Sequence, residues 1–128
     1  MKFNEIMAEV IGVQHTLPRD LPRVYVCHPL RGPEPYSRER TKANQAAATE
    51  ICRRIFEAKV AIPFSPLHAF SFLDPLSATP HNNVMAMCFQ LLEMCEEVWV
   101  YGEWASSKGC LEEIKLATKL HLPVKFKN

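Results

Sequence analysis

Four short β-rich runs alternate along this chain with longer stretches of helical periodicity. The runs are Arg23-Val24-Tyr25-Val26-Cys27, Val60-Ala61-Ile62, Val98-Trp99-Val100 and Pro123-Val124-Lys125-Phe126. Between the first two, Ala47, Ala48, Ile51, Cys52, Ile55 and Phe56 fall on one helical face. Before the third, Val84, Cys88, Leu91, Leu92 and Cys95 do the same. A strand followed by a helix and another strand closes economically only as a right-handed parallel crossover. The spacing therefore predicts strands near 23–27, 59–62, 97–101 and 122–126, and helices near 37–58, 83–95 and 109–120. It implies an α/β three-layer sandwich around a parallel sheet of four to five strands.

The first 22 residues stand apart. Phe3, Ile6, Met7, Val10 and Ile11 recur at helical spacing, and Pro18 and Pro22 break the chain before the first strand. We read 1–22 as an N-terminal helical arm with a linker, and 23–128 as one domain. An apolar stripe on so small a unit needs cover, so a homo-oligomer, at least a dimer, is expected. The chain has 128 residues, 48% hydrophobic and 23% charged, which suits a folded core rather than disorder. A net charge of +1 gives no electrostatic argument for a nucleic-acid partner. No secretory h-region or run of about 20 apolar residues is visible, so a cytoplasmic protein with no membrane partner is expected. The five cysteines (Cys27, Cys52, Cys88, Cys95 and Cys110) form no C-x-x-C pair. They read as buried apolar residues in a reducing compartment, with Cys27 the best candidate thiol. Cys27, His28, His68 and His81 lack metal-ligand spacing, so no metal and no cofactor is expected.

Three loops follow the first three strands and should converge at one sheet edge, where open α/β sheets hold small ligands. The first carries His28, Arg31 and Gly32. The second carries Ser65, His68 and Asp74 within the long connection 63–82. The third carries Gly102, Trp104, Ser106, Ser107 and Gly109, backed by Glu113. One cation, several hydroxyls, two carboxylates and an aromatic plate suit a polar ligand with a ring, such as a nucleoside or nucleotide. Neither a P-loop nor G-x-G-x-x-G is present. Arg31 reads as a clamp for phosphate or carboxylate, or as a solvated side chain. Ser107 is an N-cap for the last helix, and Asn82 or Asn83 for the one before it. His68 and His81 read as acid–base groups or as partners of loop backbone, and Asp74 as a turn cap or ribose ligand. Trp99 belongs to the core, whereas Trp104 is the stacking candidate. Glu113, near a helix start, is expected to be ionised, either in a boundary salt bridge or as an active-site carboxylate. Glu112 should face solvent, toward Lys115 and Lys119.

These pieces together resemble the nucleoside 2-deoxyribosyltransferase-like superfamily, and most of all its small bacterial and phage members of unassigned function. The resemblance rests on Val24 through Gly32 with Asn44 on the next helix, Ala61 through His68, Phe72-Leu73-Asp74, Leu91 through Gly102, and Ser107 through Ile114. It implies a flavodoxin-like fold. It also implies a Gly-x-x-x-Glu arrangement, here Gly109 through Glu113, whose glutamate attacks the sugar C1′ and expels the base. Water or a second base would then release the sugar. The substrate-binding set it suggests is His28, Arg31, Gly32, Asn44, His68, Asp74, Gly102, Trp104, Ser107 and Gly109, around catalytic Glu113. Two positions depart from the family pattern. Ser107 stands where an acid is usual, and Cys88 lies near the place of the aspartate that helps protonate the leaving base. His68, His81 or Asp74 would have to take over that proton. The rival expectation is a non-catalytic module that senses a nucleotide-derived ligand in the same crevice.

Overall fold

The computed structural model describes residues 2–12 and 17–127; residues 13–16 of the expected linker lie outside them. The four strands are β1 (Arg23–Cys27), β2 (Ile62–Phe64), β3 (Glu97–Val100) and β4 (Val124–Phe126). They form one sheet in the order β2-β1-β3-β4, and every pair is parallel. The helices are α1 (Phe3–Ile11), α2 (Arg38–Ala58), the single turn α3 (Pro66–Ala69), α4 (His81–Glu93) and α5 (Lys108–Lys119). This is the α/β sandwich that the alternation predicts, and it is consistent with the flavodoxin-like fold that the resemblance implies.

The two cores follow from the period-2 pleat of β1 and β3. Val24 and Val26 face α2, where Ile55 and Ile51 pack with Trp99. Tyr25, Cys27, Val98 and Val100 face the opposite side, where Leu92 of α4 and Cys110 and Ala117 of α5 close the layer. All four residues from Val24 to Cys27 are fully buried. A parallel strand covered on both faces must be apolar throughout, and this one is.

The helix starts are set by local chemistry. Ser37 caps α2, its hydroxyl accepting the Arg40 N–H at 3.2 Å. Ser107 caps α5 in the same way through the Cys110 N–H at 3.2 Å. The start of α4 differs from expectation. Pro80 stands at its N-cap with φ −60° and ψ 124°, so the helix begins at His81 and takes Asn82 and Asn83 into its first turn. The second strand is also displaced, from 59–62 to Ile62–Phe64, with Pro63 inside it. β2 is an edge strand, and the Ile62 N–H bonds Pro22 O at 2.8 Å. The next nitrogen turns away from β1, so a proline there costs no ladder bond. The connection 63–82 is not structureless, because α3 folds within it.

α1 forms as the apolar spacing predicts, but Phe3, Ile6, Val10 and Ile11 stay exposed. The Arg19 guanidinium covers the Phe3 ring at 5.6 Å. No helix among the described residues is long and apolar enough to cross a membrane.

Leu92 is wholly buried beneath the sheet, whereas Leu111 lies on the outer face of α5. Leu92→Ala is expected to lower the unfolding free energy by about 2–5 kcal/mol, the cost of lost transfer energy plus a cavity. Leu111→Ala should change it by less than about 0.5 kcal/mol. Urea titration of both variants checks this, and equal losses would show that α4 does not close the core as described.

Candidate functional site

In this strand order the chain reverses direction of travel between β1 and β3, and a crevice opens beyond their carboxyl ends. A cavity of about 410 Å³ occupies it, a size suited to a small organic ligand. The loop after β1 brings His28, Arg31 and Gly32 to its wall. The long connection brings Asp74, and the start of α5 brings Ser107, Gly109 and Glu113. Four sequence candidates stand elsewhere.

His68 is bonded on both ring nitrogens. Thr49 gives its own proton to Gln45 O at 2.9 Å, so His68 Nε2–H donates to Thr49 Oγ1 at 2.8 Å. Its Nδ1 then accepts from Ser65 Oγ at 2.7 Å, so the ring is fixed within α3 while its Thr49 bond pins α3 to α2. Asn44 sits behind the first loop and donates to Leu30 O at 2.8 Å. Trp104 packs on Phe126, with ring centroids 4.9 Å apart, and supports the α4/α5 core instead of stacking in the cavity. Gly102 backs His28 from outside. Its φ is +70°, and a Cβ there would lie 2.9 Å from His28 Nε2, so only glycine fits this turn.

The loop carrying Arg31 is held from beneath. Arg40 donates Nη1 to Arg31 O at 3.3 Å and also to Pro33 O, and Nη2 to Pro35 O at 2.8 Å. Gly32 adopts φ +70° with the Arg40 side chain 3.1 Å from where a Cβ would sit. The Arg31 guanidinium lies over the Tyr36 ring at 4.3 Å. Its Nη2 is 3.4 Å from His81 Nδ1, and His81 Nε2 is 3.1 Å from Glu112 Oε1. Arginine only donates and a carboxylate only accepts, so His81 is the neutral Nε2–H tautomer here. Glu112 is thus not a solvated charge facing Lys115 and Lys119, because it anchors a histidine of the cavity wall. Asp74 takes Arg38 in a fork, at 3.2 and 3.3 Å. The Leu76 N–H and then Arg38 hold its carboxyl below the usual aspartate range.

Glu113 lies at the cavity floor and is 5% exposed. The Tyr25 hydroxyl donates to its Oε2. The Cys27 thiol lies 3.5 Å from its Oε1. Burial pushes its pKa up to about 7, against the pull of the Tyr25 and Cys27 hydrogen bonds. The helix start therefore does not hold Glu113 in the usual carboxylate range. Glu113 sits in the second turn of α5, beyond the free N–H groups, and desolvation outweighs the helix dipole. Burial and the Glu113 charge keep Tyr25 a phenol far above its ordinary range. The neighbouring Cys110, burial and the Glu113 charge keep Cys27 a thiol. Burial pushes the Cys88 thiol, also in the cavity wall, up to about 12. Burial lowers the His28 pKa, although its Nδ1–H donates to Pro29 O at 2.7 Å.

Sequence reasoning missed Tyr25, and it placed Cys27 at a strand end without its partner. Their alternation with Val24 and Val26 carried the signal that both face one side of β1. Nothing in the spacing indicated that Glu113, 88 residues beyond Tyr25, would meet them there.

Fold and crevice together define a flavodoxin-like α/β domain with a buried carboxylate under a ligand-sized cavity. Residues 22–127 match the domain of unknown function DUF7768, and the chain belongs to that family. The match begins after α1, so the arm lies outside the family domain. Among curated proteins none matches the chain.

The raised pKa of Glu113 has a consequence for stability. Its ordinary value is 4.5 and its folded value about 7, so between them the folded state holds a proton that the unfolded state has lost. Stability contributed by the protonated group is full below about pH 4.5 and is lost as pH rises through about 7. Glu113→Gln removes this titration. Its stability relative to wild type should therefore improve by on the order of 3 kcal/mol between about pH 4.5 and pH 8. Denaturant unfolding across that range in metal-free buffer checks the slope, and a flat difference would mean that Glu113 is not buried as described.

Proposed function

We propose that this protein cleaves or transfers the N-glycosidic bond of a nucleoside or nucleotide, with Glu113 as the attacking group. The observation that carries this reading is the single buried carboxylate at the cavity floor, fixed on one oxygen by Tyr25 and approached on the other by Cys27. A nucleophile held in place by hydrogen bonds keeps its aim while the sugar C1′ approaches. The resemblance of Gly109 through Glu113 to a deoxyribosyltransferase nucleophile motif points the same way.

The cavity wall favours an anionic ligand. Arg31, Arg38, Lys42 and Lys108 line it, against the carboxylates of Asp74 and Glu113. The N-terminus of α5 adds N–H groups that lack intrahelical acceptors. A nucleoside monophosphate fits this balance better than a free nucleoside. Departure of the base needs a proton. Asp74 is held ionised, the Cys88 thiol is a poor acid, burial lowers the His28 pKa, and His68 lies outside the wall. His81 remains. While Arg31 donates to its Nδ1, that nitrogen has no room for a proton. A ligand phosphate that takes Arg31 frees Nδ1 to relay a proton from solvent to the departing base, while Glu112 holds Nε2 in place. The negative ligand in this scheme switches on the acid that discharges the base.

The second reading is a nucleotide-sensing module without turnover. What favours it is Cys88, a thiol near the place where the superfamily pattern has its aspartate. In either reading the chain works in a reducing cytoplasm as a homo-oligomer, whose contact includes the exposed face of α1. Light scattering at micromolar concentration should give at least a dimer, and deletion of residues 1–12 should reduce it to a monomer.

Free base released from a panel of nucleosides and their 5′-monophosphates is the direct test. Wild type should release base with an acid limb near pH 7, where Glu113 loses its proton. Glu113→Gln should cost several orders of magnitude, on the order of 4 kcal/mol or more in barrier. Arg31→Ala should weaken monophosphate binding by on the order of tenfold and leave nucleoside binding nearly unchanged. Binding of a nucleotide without release of base from any substrate would establish the sensor. Normal turnover by Glu113→Gln would remove Glu113 from the mechanism.

A further inference from the structure

Beneath the cavity two cysteines distant in sequence come together. Cys27 ends β1 and Cys110 lies in the first turn of α5, and both are buried, at 0% and 1% exposure. Among the described residues, Cys27, Cys110 and Glu113 place their ligand atoms within 4.8 Å of one another. Cys27 Sγ is 3.5 Å from Glu113 Oε1 and 4.0 Å from Cys110 O. A tetrahedral zinc ion, with Zn–S about 2.3 Å and Zn–O about 2.0 Å, needs its sulfur and oxygen ligands about 3.5 Å apart. The Cys27–Glu113 pair already stands at that separation.

We infer that Cys27, Cys110 and Glu113 form a three-ligand site for Zn²⁺, with the fourth tetrahedral position open toward the cavity. Three features of the structure support this. Two thiols select a thiophilic ion over magnesium, calcium or manganese, which want oxygen ligands. Glu113 presents Oε1 to the thiol side while Tyr25 holds Oε2, so the carboxylate is preset to bind through one oxygen. A hydrogen-bonded outer partner of this kind is what orients ligating carboxylates in metal sites. Cys110 and Glu113 line the cavity while Cys27 lies behind them, so the ion would sit at the floor with one face toward the ligand space. On binding, each thiol loses its proton to solvent as a Zn–S bond forms, and Glu113 enters as the carboxylate. The two thiolates and the carboxylate leave the centre with a net charge of −1. Water or an anionic ligand atom would complete the coordination.

The regulatory consequence rests on the reading of Glu113 as the nucleophile. A carboxylate oxygen bound to zinc cannot attack a sugar carbon, so occupancy by the metal and glycosidic cleavage exclude one another. Zinc would act as an inhibitor at the reacting group, and a chelator would restore turnover.

The test uses the full chain, reduced and stripped of metal, then titrated with Zn²⁺ against a chromophoric chelator. Co²⁺ replaces Zn²⁺ for spectroscopy. One equivalent of zinc per chain is expected, with a near-ultraviolet thiolate-to-cobalt charge-transfer band of an intensity that reports two thiolates. Cys27→Ser and Cys110→Ser should each weaken zinc binding by at least about tenfold, the usual worth of far smaller perturbations around a metal. Cys52→Ala, on the opposite face of the sheet, should bind as wild type does. The wild-type cobalt spectrum decides the matter even where a core substitution unfolds the chain, which circular dichroism of each variant will reveal. Absence of the charge-transfer band, or binding unchanged in both serine variants, overturns the site. None of these readouts needs turnover, so failure of the metal site leaves the glycosidic reading standing. Absence of base release from metal-free protein defeats that reading and leaves the zinc site untouched. If both stand, one equivalent of Zn²⁺ must abolish base release; undiminished release by the loaded protein would refute the inhibitory role.

Discussion

Everything in this molecule depends on β1 being buried from both faces and paired along both edges. Val24 through Cys27 have no exposed surface, and their side chains alternate between two cores. Apolar burial of this kind stabilises by roughly 1.5–3 kcal/mol per large side chain, so the strand cannot shift without loss on both sides. A fixed β1 also fixes the start of the loop beyond it. The chain leaves the sheet at His28, and the crevice opens where the neighbouring strands are reached by helices on opposite faces. The two residues that face α5, Tyr25 and Cys27, become the floor on which Glu113 rests.

The site built there has two electrostatic zones. The rim carries the cations Arg31, Arg38, Lys42 and Lys108. The floor carries one carboxylate whose surroundings are a phenol, thiols and aliphatic carbon. Charges at the rim are screened and individually weak, whereas the floor lacks water to screen it. In the proposed reaction an anionic ligand would be captured at the rim and meet the carboxylate at the floor. The histidine between the zones, His81, is tied to Arg31 on the rim side and to Glu112 on the other.

Most of the fold could be read from the sequence because it is encoded locally. The alternation of Val24, Tyr25, Val26 and Cys27 and the apolar faces of α2 and α4 are short-range patterns. The errors arose where a local signal met a tertiary one. Pro63 reads as a strand terminator, yet an edge strand tolerates it. Asn82 and Asn83 read as caps, yet Pro80 starts the helix before them. Trp104 and His68 have the composition of ligand-binding groups, but Phe126, Ser65 and Thr49 occupy them, and no linear pattern shows those contacts. The site itself was half legible. Arg31, Gly32, Ser107, Gly109 and Glu113 sit on loops and helix starts whose positions the topology dictates. Tyr25 and Cys27 looked like core because they are core, and their contacts with Glu113 appear only once α5 lies across them.

The bracing of the first loop has a consequence for how this crevice meets a ligand. Arg40 ties down three carbonyls of the segment that carries Arg31, and Asn44 a fourth. A segment so restrained has already surrendered its conformational freedom during folding. A ligand arriving there loses its own translational and rotational freedom but orders little of the protein. For the proposed ligand, recognition at this mouth would rest on complementarity to a ready-made shape rather than on ordering of the loop.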